Sequence, residues 1–430
     1  MIKITDKHNC CGCEACVQIC PKHCISFTPD NEGFSYPKVD ETICINCGLC
    51  EKVCPVQRPY EVNKPLKTLA AINKNDEVRM ASSSGGIFTL LAEQVIDKGG
   101  VVFGARFDNN WQVVFDYAET KEDLKAFRNS KYVQAHIGNS YQRCKDFLDV
   151  GRNVLFSGTP CQIAGLHHFL RKEYENLLAV DFICHGVPSP FVWDLYLTEI
   201  LAEASSSIQG NWCRIKTIDS FVLDFNDDGQ EILMHAPFSE NMYLLAFIKN
   251  LFLRPSCHAC PSKSGKSHSD ITIADFWGIQ MINPQMDDNR GTSLVMINSE
   301  KGSSVLPYEM MKFTEEEFEQ AISYNSAWLK SVAPHFRRTE FFDDLSKNKN
   351  VTKLITRALR PTMCQRFLLL KHPRGLAKMF LQSILGGMFS FLTPCNKTNN
   401  SGLLHVSQVS FRSKIQGWKG YQILIKLELK

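Results

Sequence analysis

At 430 residues, 44% of them hydrophobic and 22% charged, the chain has room for two or three folded domains and is too apolar to be disordered. Eighteen cysteines would suit a disulfide scaffold only in a short secreted chain; residues 1–9 have no apolar signal core, so a reduced, cytoplasmic protein is expected. The net charge of +3 is unevenly spread, with 13 Lys/Arg against one Asp/Glu from Val351 to Lys430 and an acidic remainder at −9 (35 basic, 44 acidic), so the tail is expected to meet a membrane surface or an acidic partner, and no nucleic acid is expected.

In chain order, the first feature is a repeat. Cys10, Cys13, Cys16, Cys20 and Pro21 read C-x-x-C-x-x-C-x-x-x-C-P, and Cys44, Cys47, Cys50, Cys54 and Pro55 repeat it. This spacing binds pairs of iron–sulfur clusters: three close thiolates hold one cluster and the fourth, before proline, reaches the other. Cys10, Cys13, Cys16 and Cys54 are therefore expected to hold one 4Fe-4S cluster, and Cys44, Cys47, Cys50 and Cys20 a second. The stretch resembles bacterial two-cluster ferredoxins. Zinc also uses C-x-x-C pairs, but has no need of three cysteines at this pitch with a trailing Cys-Pro. Cys11 and Cys24 fall outside the pattern and read as small buried side chains. A short hairpin is expected around residues 25–27 and 36–39.

Residues 58–66, with Pro59 and Pro65, read as a linker. Strands and helices then alternate, which predicts an α/β body. Ser82-Ser83-Ser84-Gly85-Gly86 should open a helix over 87–96 that stops at Gly99-Gly100. Strands are expected at 101–107 and 112–117, and helices at 121–128 and 140–148. A strand at 153–156 runs into Gly158-Thr159-Pro160-Cys161 and a helix over 162–170. A strand at 177–183 ends in Cys184-His185-Gly186, before a helix at 190–204. Strands at 212–218, 221–225 and 232–235 precede a helix at 240–253 and then Cys257-x-x-Cys260. A strand at 271–274 closes in Asp275-Phe276-Trp277-Gly278, and the last strand is 293–298. Helices are expected at 315–322 and 350–359. In the tail, Leu376, Phe380, Ile384, Met388 and Leu392 recur every four residues beside Lys371, Arg374 and Lys378. That is an amphipathic helix, docked on the body or lying on an anionic membrane.

Cys161, Cys184, Cys257 and Cys260 stand at strand-end loops, where α/β sheets bind ligands. Four thiolates suffice for a third 4Fe-4S cluster; buried structural cysteines or a thiol–disulfide pair are the alternatives. Cys144, Cys213, Cys364 and Cys395 read as packing residues. His185 and His258 read as positioning or packing groups.

The ordered series of Ser82–Gly86, Gly158–Gln162, Cys184–Gly186, Cys257/Cys260 and Asp275–Gly278 resembles the beta subunits of coenzyme F-420 hydrogenases and dehydrogenases, over about residues 66–298. Ala274 stands where that family commonly has glycine. The resemblance implies FAD beside the clusters, with Ser83, Ser84, Gly85, Gly86, Gly158, Thr159 and Pro160 as cofactor-binding candidates. A helix N-terminus with glycines can take a pyrophosphate, though an ordinary helix cap looks the same.

The expected fold class is α+β. A ferredoxin-like module over 1–60 precedes an α/β flavin and iron–sulfur domain over 66–340 and a basic helical extension over 345–430. The expected function is an oxidoreductase passing electrons between a one-electron carrier, such as a ferredoxin, and an unidentified two-electron substrate. A relay subunit without a substrate site and a structural metal-binding adaptor are the alternatives. No catalytic acid or base can be named, because a flavin would carry the chemistry.

Overall fold

The computed structural model describes residues 1–204, 211–215, 221–227, 231–234 and 241–362, without side chains at 201 and 203–234. The amphipathic tail segment, Cys364, Cys395 and the Cys213 side chain lie outside that description. In the cysteine module, β1 (Ile25–Pro29) and β2 (Ser35–Val39) form the expected antiparallel hairpin. Each cysteine run carries one short helix, Ala15–Gln18 and Leu49–Lys52.

The body is built on an eight-stranded sheet. Its strands are β3 (Lys67–Asn73), β4 (Val101–Phe107), β5 (Val113–Ala118), β6 (Val154–Gly158), β7 (Leu177–Phe182), β11 (Ile271–Asp275), β12 (Ser293–Ile297) and β13 (Met311–Glu315), in the order β13-β3-β12-β11-β7-β6-β4-β5. Three more, β8 (Asn211–Ile215), β9 (Phe221–Asp227) and β10 (Glu231–Met234), form a separate antiparallel sheet. β4, β6, β7 and β11 run parallel, and β5, β12, β3 and β13 add antiparallel pairs outside them. Parallel strands covered on both faces need apolar runs rather than alternation. Val154, Leu155 and Phe156 in β6 and all five residues of β12 are buried accordingly. The chain leaves the carboxyl ends of β6, β7 and β11 at one edge of the sheet, and that edge receives the loops of interest.

Some elements differ from expectation. Residues 121–128 hold only a 3-10 turn, Asp123–Phe127. The helix expected over 240–253 is Met242–Ile248, and Asn250 follows with φ of 61°. β13 occupies the start of the helix expected at 315–322, which runs instead over Phe318–Tyr324. β3 and the helix Arg338–Leu345 were not anticipated. The helix Val351–Leu359 belongs to the body: its Val351, Leu354, Ile355 and Ala358 join Tyr243, Leu244, Phe252 and Phe341 in one apolar core. A boundary at 345 therefore cuts through packed structure.

Candidate functional site: a chain of cysteine clusters

The two cysteine runs have matching backbones. Gly12 and Asn46 occupy the same position of the repeat, with φ of 74° and 53°, and Glu14 and Gly48 do likewise, with φ of 59° and 71°. These left-handed residues turn each run so that three thiols face inward. Cys10, Cys13, Cys16 and Cys54 are all buried, and the structure gathers them. Burial raises the Cys16 thiol, and the charges of Cys10 and Cys54 raise it further. Burial likewise raises Cys54, which also feels Cys10, while Cys13 feels Cys16 and Cys54. A separate cavity is lined by Cys20, Cys44, Cys47 and Cys50, with Cys24 beside them. Cys24 is buried, with its sulfur 3.3 Å from that of Cys20. Among the described residues no three His, Cys, Asp or Glu side chains group so as to hold a single metal ion. Two gathered sets of four thiols suit four-iron clusters, which are larger than one ion.

The two sets differ in surroundings. Cys47 is exposed and Cys44 half-buried, so the second set faces solvent. The first set faces the body. Glu14, buried despite its charge, accepts backbone N–H groups of Ile137 at 3.0 Å and Gly138 at 3.1 Å. Gln18 accepts from Tyr141 at 3.0 Å and Gln142 at 3.2 Å, at the start of the helix Ser140–Asp149. The helix Pro160–Leu170 lies directly on Cys13: a Cβ on Gly165 would stand 3.0 Å from the Cys13 Cβ. Arg338, at the start of the helix Arg338–Leu345, makes a two-pronged ion pair with Glu32 in the hairpin turn at 2.9 and 2.5 Å. Arg254 is wholly buried and donates to the Cys10 carbonyl at 2.8 Å and to the Cys10 sulfur at 3.5 Å.

Cys11 is buried, as expected, but among thiols. It packs in one core with Cys13 and Cys161; hydrogen bonding with Cys13 and burial shift its thiol well up, opposed by hydrogen bonding with Cys161. Cys161 opens the second link. It lies in the first turn of the Pro160–Leu170 helix, where Thr159 and Gln162 form a capping box, and the Thr159 hydroxyl is 3.2 Å from its sulfur. Cys184 follows β7, and the Val187 N–H points at the Cys257 sulfur at 3.4 Å. Burial raises the Cys184 thiol, with added repulsion from Cys257, Cys161 and Cys260. Burial pushes Cys257 up to about 12 and Cys260 up to about 11, and each also feels Cys161. The four central cysteines thus stand within one electrostatic neighbourhood. His185 Nε2 bonds Asn250 at 2.7 Å, and His258 Nδ1 bonds the Val332 carbonyl at 2.9 Å, so both fix loops around these cysteines. Cys144 is fully buried in an apolar core.

The Ser82–Gly86 loop sits at the same sheet edge and packs on its own chain. Gly85 donates to the Ser293 hydroxyl at 3.0 Å, and Ser84 donates to the Thr292 carbonyl at 2.9 Å. A Cβ on Gly85 would meet the Ser293 nitrogen at 2.7 Å, so its missing side chain is explained by packing on β3 and β12. Thr159 gives its N–H to Gln162 at 2.9 Å and its hydroxyl to the same oxygen at 3.0 Å, and Pro160 has no N–H. Ser83 is half-buried, and the helix Ile87–Asp97 starts without a side-chain cap. Asp275 meets this loop: burial pushes its carboxyl up to about 7, opposed by a hydrogen bond with Ser84. Arg254 and Glu14 were not singled out from sequence; neither has a local signature, because their partners lie more than a hundred residues away.

Among the described residues no helix is long and apolar enough to cross a membrane. Comparison with known proteins gives a consistent picture. The family model described as coenzyme F420 hydrogenase/dehydrogenase, beta subunit N-term, matches residues 68–140, its C terminus counterpart matches 151–320, and a 4Fe-4S dicluster domain matches 9–57. One component of the F(420)H(2) dehydrogenase of Methanosarcina mazei is 23% identical over 45% of this chain and 57% of its own length. Ferredoxin 7Fe of Hydrogenibacillus schlegelii is 44% identical over 11% of this chain and 53% of its own. A chain of the F420-reducing [NiFe] hydrogenase complex from Methanosarcina barkeri aligns over 69% of this chain and 91% of that one, at 18% identity and a TM-score of 0.40. The present chain thus spans little more than half the length of these two curated relatives. The paired domain models, with the repeated cysteine runs before them, place it: the chain belongs to the coenzyme F420 hydrogenase/dehydrogenase beta-subunit family and carries a 4Fe-4S dicluster domain.

Proposed function

We propose that this chain is an electron-transfer oxidoreductase that joins a one-electron carrier to a two-electron substrate. Cys10, Cys13, Cys16 and Cys54 hold an inner 4Fe-4S cluster, and Cys20, Cys44, Cys47 and Cys50 an outer one. Cys161, Cys184, Cys257 and Cys260 hold a third within the body. The observation that carries this reading is the shared core at the junction, where Cys11 and Cys13 of the module pack with Cys161 of the body. It supports a route from the exposed Cys47 end, through the buried set, to the sheet edge. A ferredoxin-like carrier would meet the Cys47 face.

FAD is the group proposed at that edge, near Ser83, Gly86 and Gly158; it exchanges both electron pairs and single electrons. There the chain binds and orients: the Ser84–Thr292 and Gly85–Ser293 bonds hold the loop in place, and Asp275 can hold a proton. A second reading has its own support. Ser84, Gly85 and Thr159 already spend their donors within the chain, which favours a relay subunit without a flavin or substrate site.

Anaerobic purification of the full chain, with iron, sulfide and flavin analysis, separates these readings. Three clusters and one FAD require about twelve irons and one flavin per chain. About twelve irons with no flavin, even after incubation with FAD, selects the relay reading. About eight irons removes the third cluster, and zinc in place of iron overturns both readings.

A further inference from the structure

Arg254 is 0% exposed, and a guanidinium stays charged at any ordinary pH. A buried charge is tolerated only with compensation. Its side-chain donors go to the Cys10 carbonyl at 2.8 Å, Gln134 Oε1 at 3.0 Å, the Ser35 carbonyl at 2.9 Å and the Cys10 sulfur at 3.5 Å. The rings of Phe34 and Tyr36 lie against it, with centroids at 5.5 and 4.5 Å. Among the described residues no carboxylate pairs with it, and the sulfur it touches is that of Cys10, which a cluster would hold as thiolate. Three residues on, the same turn delivers Cys257, whose N–H bonds the Arg254 carbonyl at 2.9 Å.

The outer set has nothing equivalent: among the described residues no arginine or lysine side chain is hydrogen-bonded to Cys20, Cys44, Cys47 or Cys50, whose donors are backbone groups such as those of Lys22 and Ile2. The Met1 amine, which feels Cys50 and Cys44, is partly exposed and paired with Glu51 at 3.0 Å. Burial and hydrogen bonds to sulfur both tune cluster potentials. Burial opposes the extra negative charge that one-electron reduction brings, so the enclosed inner set would by itself be harder to reduce than the exposed outer one. A fixed cation against its ligand acts in the opposite sense.

We propose that Arg254 raises the reduction potential of the cluster held by Cys10, offsetting the burial of that cluster so that electrons pass inward from its exposed twin. Arg254 is a positioning residue with an electrostatic role. The exchange is one electron at the cluster, with no bond formed or broken and no proton moved. The inference rests on Cys10 being a cluster ligand.

The test is an anaerobic redox titration of the full, cluster-loaded chain, followed by electron paramagnetic resonance, with iron and sulfide measured in parallel. A Cys47→Ser variant identifies the outer cluster's signals. Arg254→Met is expected to lower the midpoint of the inner cluster and leave the outer one in place, with Arg254→Lys between it and the parent. Gln134→Glu keeps the arginine but sets a carboxylate beside it; the inner midpoint is expected to fall there too. That variant decides the matter if Arg254→Met fails to fold. An unmoved inner midpoint in Gln134→Glu and in whichever Arg254 variants fold, or equal shifts in both clusters, overturns the proposal. Full iron in Cys10→Ser would instead overturn the ligand assignment beneath it.

Discussion

The two halves of the cysteine module share a spacing and a backbone path, and almost nothing else. Where the first half has Cys11, buried between thiols, the second has Ile45, 57% exposed. Where the second half makes its left-handed turn with Gly48, the first uses Glu14, a residue that gains nothing from φ of 59° by itself. The left-handed region costs a side-chain-bearing residue about 1 kcal/mol. Glu14 offsets this by accepting two N–H groups from the body. The comparison teaches that ligand spacing fixes the local fold of both halves, while the residues between the ligands decide which half docks and which stays open.

Variants can break or sharpen this contrast. The largest effect is expected from the ligands themselves. Cys16→Ser and Cys47→Ser should each remove about half of the module's iron. Only Cys16→Ser, whose set forms the docked side, should also lower the melting temperature of the body; equal melting in the two would break the contrast. Next comes the hairpin turn between the halves. Arg338→Leu leaves Glu32 enclosed without its partner, and a loss of about 3 kcal/mol is expected in chemical denaturation. An unchanged midpoint would mean that the turn does not anchor the module.

A smaller pair of changes compares packing with strain. Gly165→Val pushes into Cys13 and Tyr141, with Cβ contacts of 3.0 to 3.1 Å already tight, so about 1–3 kcal/mol should be lost. Gly48→Ala, on the open half, meets nothing nearer than Glu51 Oε2 at 3.9 Å. Only its left-handed strain remains, about 1 kcal/mol, and denaturation curves of the two should separate in that order. The smallest effect concerns His136, whose Nδ1 lies 3.7 Å from Glu14. The Glu14 carboxylate beside it raises its pKa despite partial burial. A group raised on folding contributes stability below its unfolded pKa and loses it as pH rises through the folded one. The melting difference between the parent and His136→Asn should therefore be larger at pH 5.5 than at pH 8. A difference independent of pH would remove this contact from the docking account.

Much of the module was readable because its ligands are close in sequence and their spacing has few uses. The strands β6, β7, β11 and β12 were readable because continuous apolar runs bounded by Gly, Pro or Asp have few other meanings. β3 was not: Leu69 to Ile72 is a short run beside a linker, with two alanines in it, and only its place between β12 and β13 makes it a strand. β13 alternates as an edge strand does, but beside Glu315–Glu317 its sequence suits a helix start equally well. The central cysteines were singled out by their loops, yet nothing local joins Cys161 to Cys257. Arg254 was invisible for the same reason. At Gly85 the missing side chain looked like room for phosphate, and the structure shows the room at that one position filled by β3 and β12.

The place of β3 also sets a timetable for making the protein. It is the first strand of the body to leave the ribosome, but its neighbours β12 and β13 begin about 220 residues later. At about 5–20 residues per second, that wait is roughly 10–45 seconds. The module's cysteines emerge before it, while Ile137, Gly165 and Arg254, which close over Cys13 and Cys10, are still to come. During synthesis the inner thiols are therefore as open as the outer ones. The interval in which iron and sulfide can be delivered freely is the same interval in which oxygen can reach those thiols.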